Sequence, residues 1–99
     1  MRSYIDSRMQ PVEPGLYTFI DSPKSVLVVT IEKGKYAIQS FNGFNPQMTG
    51  EVARRLRPLS PVELKSLTTD RRDSTTLNVL SKRSSQLAEV IRHSLEAIH

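Results

Sequence analysis

The side chains with most chemistry to offer in this 99-residue chain are its cations. Arg54, Arg55 and Arg57 lie close together, Arg71 and Arg72 are adjacent, and so are Lys82 and Arg83, with Lys65 between the first two groups. Guanidinium and ammonium groups gathered on one surface bind phosphates and release the counterions condensed on nucleic acid. Residues 54–83 carry these eight cations against Glu63, Asp70 and Asp73, a local charge of +5 in a chain of net charge +4. Residues 1–53 balance five bases with five acids, and residues 84–99 carry −1. The basic excess therefore belongs to the middle of the chain. The competing reading is a solvated face on which Asp70 and Asp73 pair with the neighbouring arginines. No aromatic residue interleaves with these positions, so stacking of single-stranded bases is not indicated.

Other chemistry is hard to assemble. His93 stands beside Arg92 and His99 is the last residue, and neither has a partner at metal-ligand or nucleophile spacing. The chain has no cysteine, which removes disulfides, thiol nucleophiles and cysteine-based zinc sites. Its acids are scattered, with no pair spaced to bring two carboxylates onto one inward helix face. Ser84-Ser85 lacks the glycine elbow of a hydrolase nucleophile. Four unclustered glycines make no phosphate-cradling loop. The expectation is a protein that is not an enzyme and uses no metal or cofactor.

The elements that must position the cations turn on one stretch, Leu59-Ser60-Pro61-Val62-Glu63-Leu64. Ser60 suits the N-cap, Pro61 the first helical position, and Glu63 the acid of a capping box. Leu59 and Leu64 occupy the two positions of a hydrophobic staple. A helix over 61–68 follows. Upstream, residues 16–41 read as a three-stranded antiparallel meander, and Val26 to Ile31 give its strongest strand. Lys33-Gly34 is a two-residue hairpin loop that sets Glu32 opposite Lys35, Ile31 opposite Tyr36 and Val29 opposite Ile38. That register makes Leu27, Val29, Ile31, Tyr36 and Ile38 one core face. Asp21 to Lys24 joins the first two strands, and the loop length leaves open which face takes Tyr17 and Phe19. Pro11, Pro14 and Gly15 make residues 1–15 an irregular arm.

Between meander and capped helix, Asn45 as cap and Pro46 as first residue suggest a short helix over 46–57. Gly50 weakens it, and an extended segment over 51–59 is the alternative. Downstream, Leu77, Leu80, Leu87, Ile91 and Ile98 recur at helical spacing, which predicts one long amphipathic helix over 74–98. Ser84-Ser85 marks a place where it could break. At 25 residues it would run roughly 37 Å, longer than a three-stranded sheet can cover.

The expected fold is thus α+β, a meander followed by two or three helices in one small domain. Its single core would join the Leu27 face to Leu59, Leu64, Leu67 and the Leu77–Ile91 stripe. Residues 1–6 carry no signal-peptide core and the longest aliphatic run is Val26 to Val29, so no membrane segment is expected and a cytoplasmic setting is the default. The leading functional expectation is a small binding protein that modulates or inhibits a protein partner, one belonging to nucleic-acid-processing machinery. It would use the basic middle and the over-long helix, with a homodimer through that helix as a variant. Direct DNA or RNA binding through Arg54, Arg55, Arg57, Lys65, Arg71, Arg72, Lys82 and Arg83 is the alternative. A recognition-helix reading of 61–83 fits poorly if the second helix opens on Leu77 to Leu80 instead of a polar face.

Overall fold

The computed structural model describes residues 2–4 and 12–96. The chain is α+β. Strands β1 (Arg2–Tyr4), β2 (Gly15–Phe19), β3 (Ser22–Glu32) and β4 (Lys35–Ser40) precede helix α1 (Gly50–Arg55) and strand β5 (Leu56–Pro58). Helices α2 (Pro61–Thr69), α3 (Arg71–Ser81) and α4 (Ser85–Glu96) complete it. The five strands form one antiparallel sheet in the order β1-β4-β3-β2-β5.

The meander is the centre of this sheet. Glu32 pairs with Lys35, Ile31 with Tyr36 and Val29 with Ile38, the register the hairpin loop demands. Lys33 and Gly34 both take positive φ, 53° and 75°, which matches the twist of the flanking strands. The first hairpin is tighter than expected. Ile20-Asp21 is its turn and Ser22 already begins β3, in place of an Asp21–Lys24 loop. The register shifts between Tyr17 and Phe19, where the fully buried Thr18 donates to the Ser22 carbonyl at 3.2 Å. Tyr17 pairs with Leu27, and Phe19, two residues further along β2, shares its face, so both lie on the Leu27 face.

Two edge strands enlarge the meander. Arg2–Tyr4, expected to be irregular, pairs with β4 and satisfies an otherwise open row of amides and carbonyls. Residues 5–11 of the expected arm lie outside the described ones. The short helix starts at Gly50 and not Pro46, because the Thr49 side chain caps it by accepting from the Val52 amide at 3.1 Å. Leu56 then turns extended so that β5 can pair with β2, and Pro58, which has no N–H to donate, suits a sheet edge. Each of the two readings of this segment is right for part of it.

The long helix divides in two. Asp70 caps α3 by accepting from the Asp73 amide at 2.9 Å, so the helix begins at Arg71 and not Ser74. It stops at Ser81. Ser84 then caps α4, its hydroxyl accepting from the Leu87 amide at 3.1 Å. A serine is worth more as a cap than inside a helix, and the break lets α4 fold back onto α3 and lie along β2 and β3. Leu77, Leu80, Leu87 and Ile91 are consequently buried in one cluster with Leu16, Val28, Leu59, Leu64 and Leu67. Among the described residues the Leu77–Ile91 stripe is therefore covered within the fold, and Ile98 of the expected stripe lies outside them.

The single expected core is in fact two. Four consecutive β3 residues, Leu27 to Thr30, are buried, so both faces of the strand are covered. The helices pack on the Val28 face. The Leu27, Val29, Tyr36 and Ile38 face, which Phe19 shares, is closed by Met48 and α1, with Val52 and Ala53 against it. A three-helix layer is wide enough to cover one face only. The segment between β4 and β5 must therefore close the other.

Candidate nucleic-acid interface

The structure divides the eight sequence-selected cations by what they touch. Arg55 is committed to the fold: its Nε donates to both carboxylate oxygens of Asp21 at 3.1 Å, and its guanidinium lies 4.3 Å from the Phe19 ring centroid. That donation lowers the Asp21 carboxyl below its ordinary range. Arg57 is committed too, with its two terminal nitrogens on the two oxygens of Glu63 at 2.8 and 3.1 Å. Glu63 also accepts from the Ser60 amide at 2.8 Å, while the Ser60 hydroxyl accepts from the Glu63 amide at 3.2 Å. The Arg57 guanidinium, helped by the Ser60 amide, holds the Glu63 carboxyl down to about 2. The capping box and the ion pair thus share one carboxylate.

Arg83 turns away from both groups, donating to the Gln39 side chain on β4 at 3.3 Å. Arg54 is exposed on α1, which closes the sheet face opposite the three-helix layer. Lys65 is exposed on α2. Strands β4 and β5 are three strand spacings apart, about 14 Å, so the eight cations do not make a single patch. Arg54, Lys65, Arg71, Arg72 and Lys82 have no ion pair among the described residues.

The structure does bring three of them together along α3, Arg71 and Arg72 in its first turn and Lys82 as its C-cap. At about 100° per residue, Arg71, Arg72, Thr75, Asn78, Val79 and Lys82 fall within an arc of about 120°, and all six are exposed. The opposite arc holds the buried Leu77 and Leu80. No acid stands on the exposed stripe. Asp73 is half-buried outside it, its carboxyl raised by burial and by the nearby Asp70 carboxylate, with Arg72 acting the other way. Helix α4 makes a useful contrast. Its outer face carries Arg92 paired with Glu96 at 2.9 Å and Glu89 at 4.0 Å, and His93 within 3.7 Å of Glu89, so its basic side chains stand beside acids. On α3 they do not.

Position adds to charge. Helix α3 packs on α2 and α4, and it is α4 that lies along the strands, so α3 forms the outer rim of the helical layer. The sequence did not join Thr75, Asn78 and Val79 to the cations, because a helix starting at Ser74 leaves Arg71 and Arg72 outside it. The signal was present: Asp70 and Asp73 repeat the cap-to-third-residue spacing of Ser60 and Glu63, which puts Arg71 at the first helical position.

Among the described residues no group of three or more His, Asp or Glu side chains could hold a metal ion. No helix there is long and apolar enough to cross a membrane. Compared with protein-family models, with curated proteins and with solved structures, the chain matches none. The functional reading therefore stands on the chain's own surfaces.

Proposed function

We propose that this is a non-enzymatic nucleic-acid-binding protein whose contact surface is the outer stripe of α3. The observation that carries it is a helix face holding Arg71, Arg72 and Lys82 with no acid on it and no ion pair to any of them among the described residues. Cations of like sign on one face repel one another, whereas phosphates would neutralise them. The recognition-helix reading, weak when the helix was placed to open on Leu77 to Leu80, gains from a helix that opens on Arg71-Arg72.

The test is fluorescence anisotropy with a labelled mixed-sequence duplex across a salt series. Charge reversal R71E/R72E should weaken binding at least roughly tenfold at low salt and lower the salt slope by about 2, one phosphate contact per arginine. R54E, on the other side of the molecule, should leave binding nearly unchanged. Equal effects of the two changes, or none from R71E/R72E, would count against the α3 surface.

The protein-modulator reading keeps one supporting feature. A groove of about 430 Å³ at the edge of the stripe has Leu77, Ile91 and Leu95 in its lining, together with Thr75 and Asn78 of the stripe itself. An acidic partner segment with apolar anchors would suit it. Such a partner would compete with the duplex for the same face.

A further inference from the structure

We infer that the α3 stripe is shaped for the major groove of B-form DNA, with Asn78 and Val79 meeting base edges and Arg71, Arg72 and Lys82 holding the flanking phosphates. This rests on α3 being the nucleic-acid surface, and it adds which nucleic acid and which residue does what. Shape comes first. A helix with its side chains is about 10–12 Å across and the B-DNA major groove about 12 Å wide, while the A-form RNA major groove is too narrow to admit it. Because α3 is the outer helix of its layer, it can enter a groove without the sheet obstructing it. No Phe, Tyr or Trp lies on the stripe, so single strands find no stacking platform.

The order of side chains along the axis supplies the division of labour. Arg71 and Arg72 stand at one end and Lys82 roughly 16 Å away at the other, at about 1.5 Å per residue. Asn78 and Val79 lie between them. The Asn78 amide makes no side-chain hydrogen bond among the described residues, which leaves a donor and an acceptor side by side. That pair matches the N7 acceptor and N6 donor of adenine. Val79 is 49% exposed on an otherwise polar stripe, and its methyls match the thymine methyl in the same groove. Thr75 differs, because its hydroxyl already donates to the Arg71 carbonyl at 2.8 Å. We assign it to the helix backbone and not to base reading.

The test begins with selection from a pool of randomised duplexes by the wild-type protein. Anisotropy then compares the selected duplex, its scrambled form, the same sequence as RNA duplex and as single strand, with wild type, N78A, V79S and R71E/R72E. The expected result is a selected site containing A·T pairs, bound more tightly as duplex DNA than in the other forms. N78A should lose about 5- to 100-fold on that site while keeping its affinity for the scrambled duplex within about twofold, and V79S should shift the preference at an adjoining pair. Asn78 and Val79 are exposed, and unchanged circular dichroism would verify that both variants fold. If R71E/R72E weakens every ligand but RNA duplex binds as well as DNA, or N78A keeps the wild-type preference, the major-groove assignment is wrong and the α3 surface stands. If R71E/R72E changes nothing, both are wrong.

Discussion

Glu63 is the residue on which most local structure converges, since one carboxylate caps α2 and anchors Arg57 on the neighbouring edge strand. Its sign of action with pH follows from its lowered position. The folded carboxyl titrates at about 2 against an ordinary 4.5. The stability it contributes is therefore fully present above about pH 4.5 and is lost as pH falls toward 2. The Arg57 and Glu63 side chains keep 40% and 31% of their exposure, so the ion pair itself contributes only on the small scale of surface pairs. The cap adds a comparable amount. Urea unfolding of wild type and Glu63→Gln at pH 7 and pH 2.5 checks this. Wild type should be more stable at pH 7, and the gap should narrow at pH 2.5. A gap independent of pH would show that charge on Glu63 is not what matters.

Among the elements, the divided helix determines most. Ser84 is the cap that makes two helices out of one amphipathic run, and Ser84→Ala should cost about 1 kcal/mol in denaturant unfolding. A stabilised Ser84→Ala variant would mean that the cap opposes a preferred continuous helix. Residues marked by chemistry at fixed short spacing were legible in the sequence: the Ser60–Glu63 box, the Lys33-Gly34 turn and the strand register it sets. What could not be read was decided by partners far along the chain. Arg2–Tyr4 is a strand because β4 has a free edge, and Leu56–Pro58 because β2 has one. The same limit applied to the candidate site. Lys82 could be listed among the cations, but whether it joined Arg71 depended on where the helix began and ended. Arg55 and Arg57 looked equally available until Asp21 and Glu63 were found against them.

For the molecule as a whole, a sheet covered on both faces couples two cores through one strand. Leu27 lies in the core closed by α1 and Leu87 in the core under the helices. Replacing either by Ala should cost about 2–5 kcal/mol. Because β3 contributes to both cores, unfolding should be a single transition in each variant. Far-UV circular dichroism reports mainly the helices, and tyrosine fluorescence reports the three tyrosines, of which Tyr17 and Tyr36 are in the Leu27 core. The two probes should give coincident curves. A helix transition preceding the tyrosine transition in Leu87→Ala would show that the layers unfold separately.

The two-sided sheet also imposes an order of events on a chain made from its N-terminus. The cover for the Leu27 face, Met48 to Leu56, is complete within about two dozen residues of the end of β3. The cover for the Val28 face runs from Leu59 to Ile91. When β5 has just been made, every residue of the Leu27-face core is present in the chain, while Leu16, Val26 and Val28 are still without the helices that cover them. Synthesis of the three helices, the rim that bears Arg71 and Asn78 among them, is what ends that exposure.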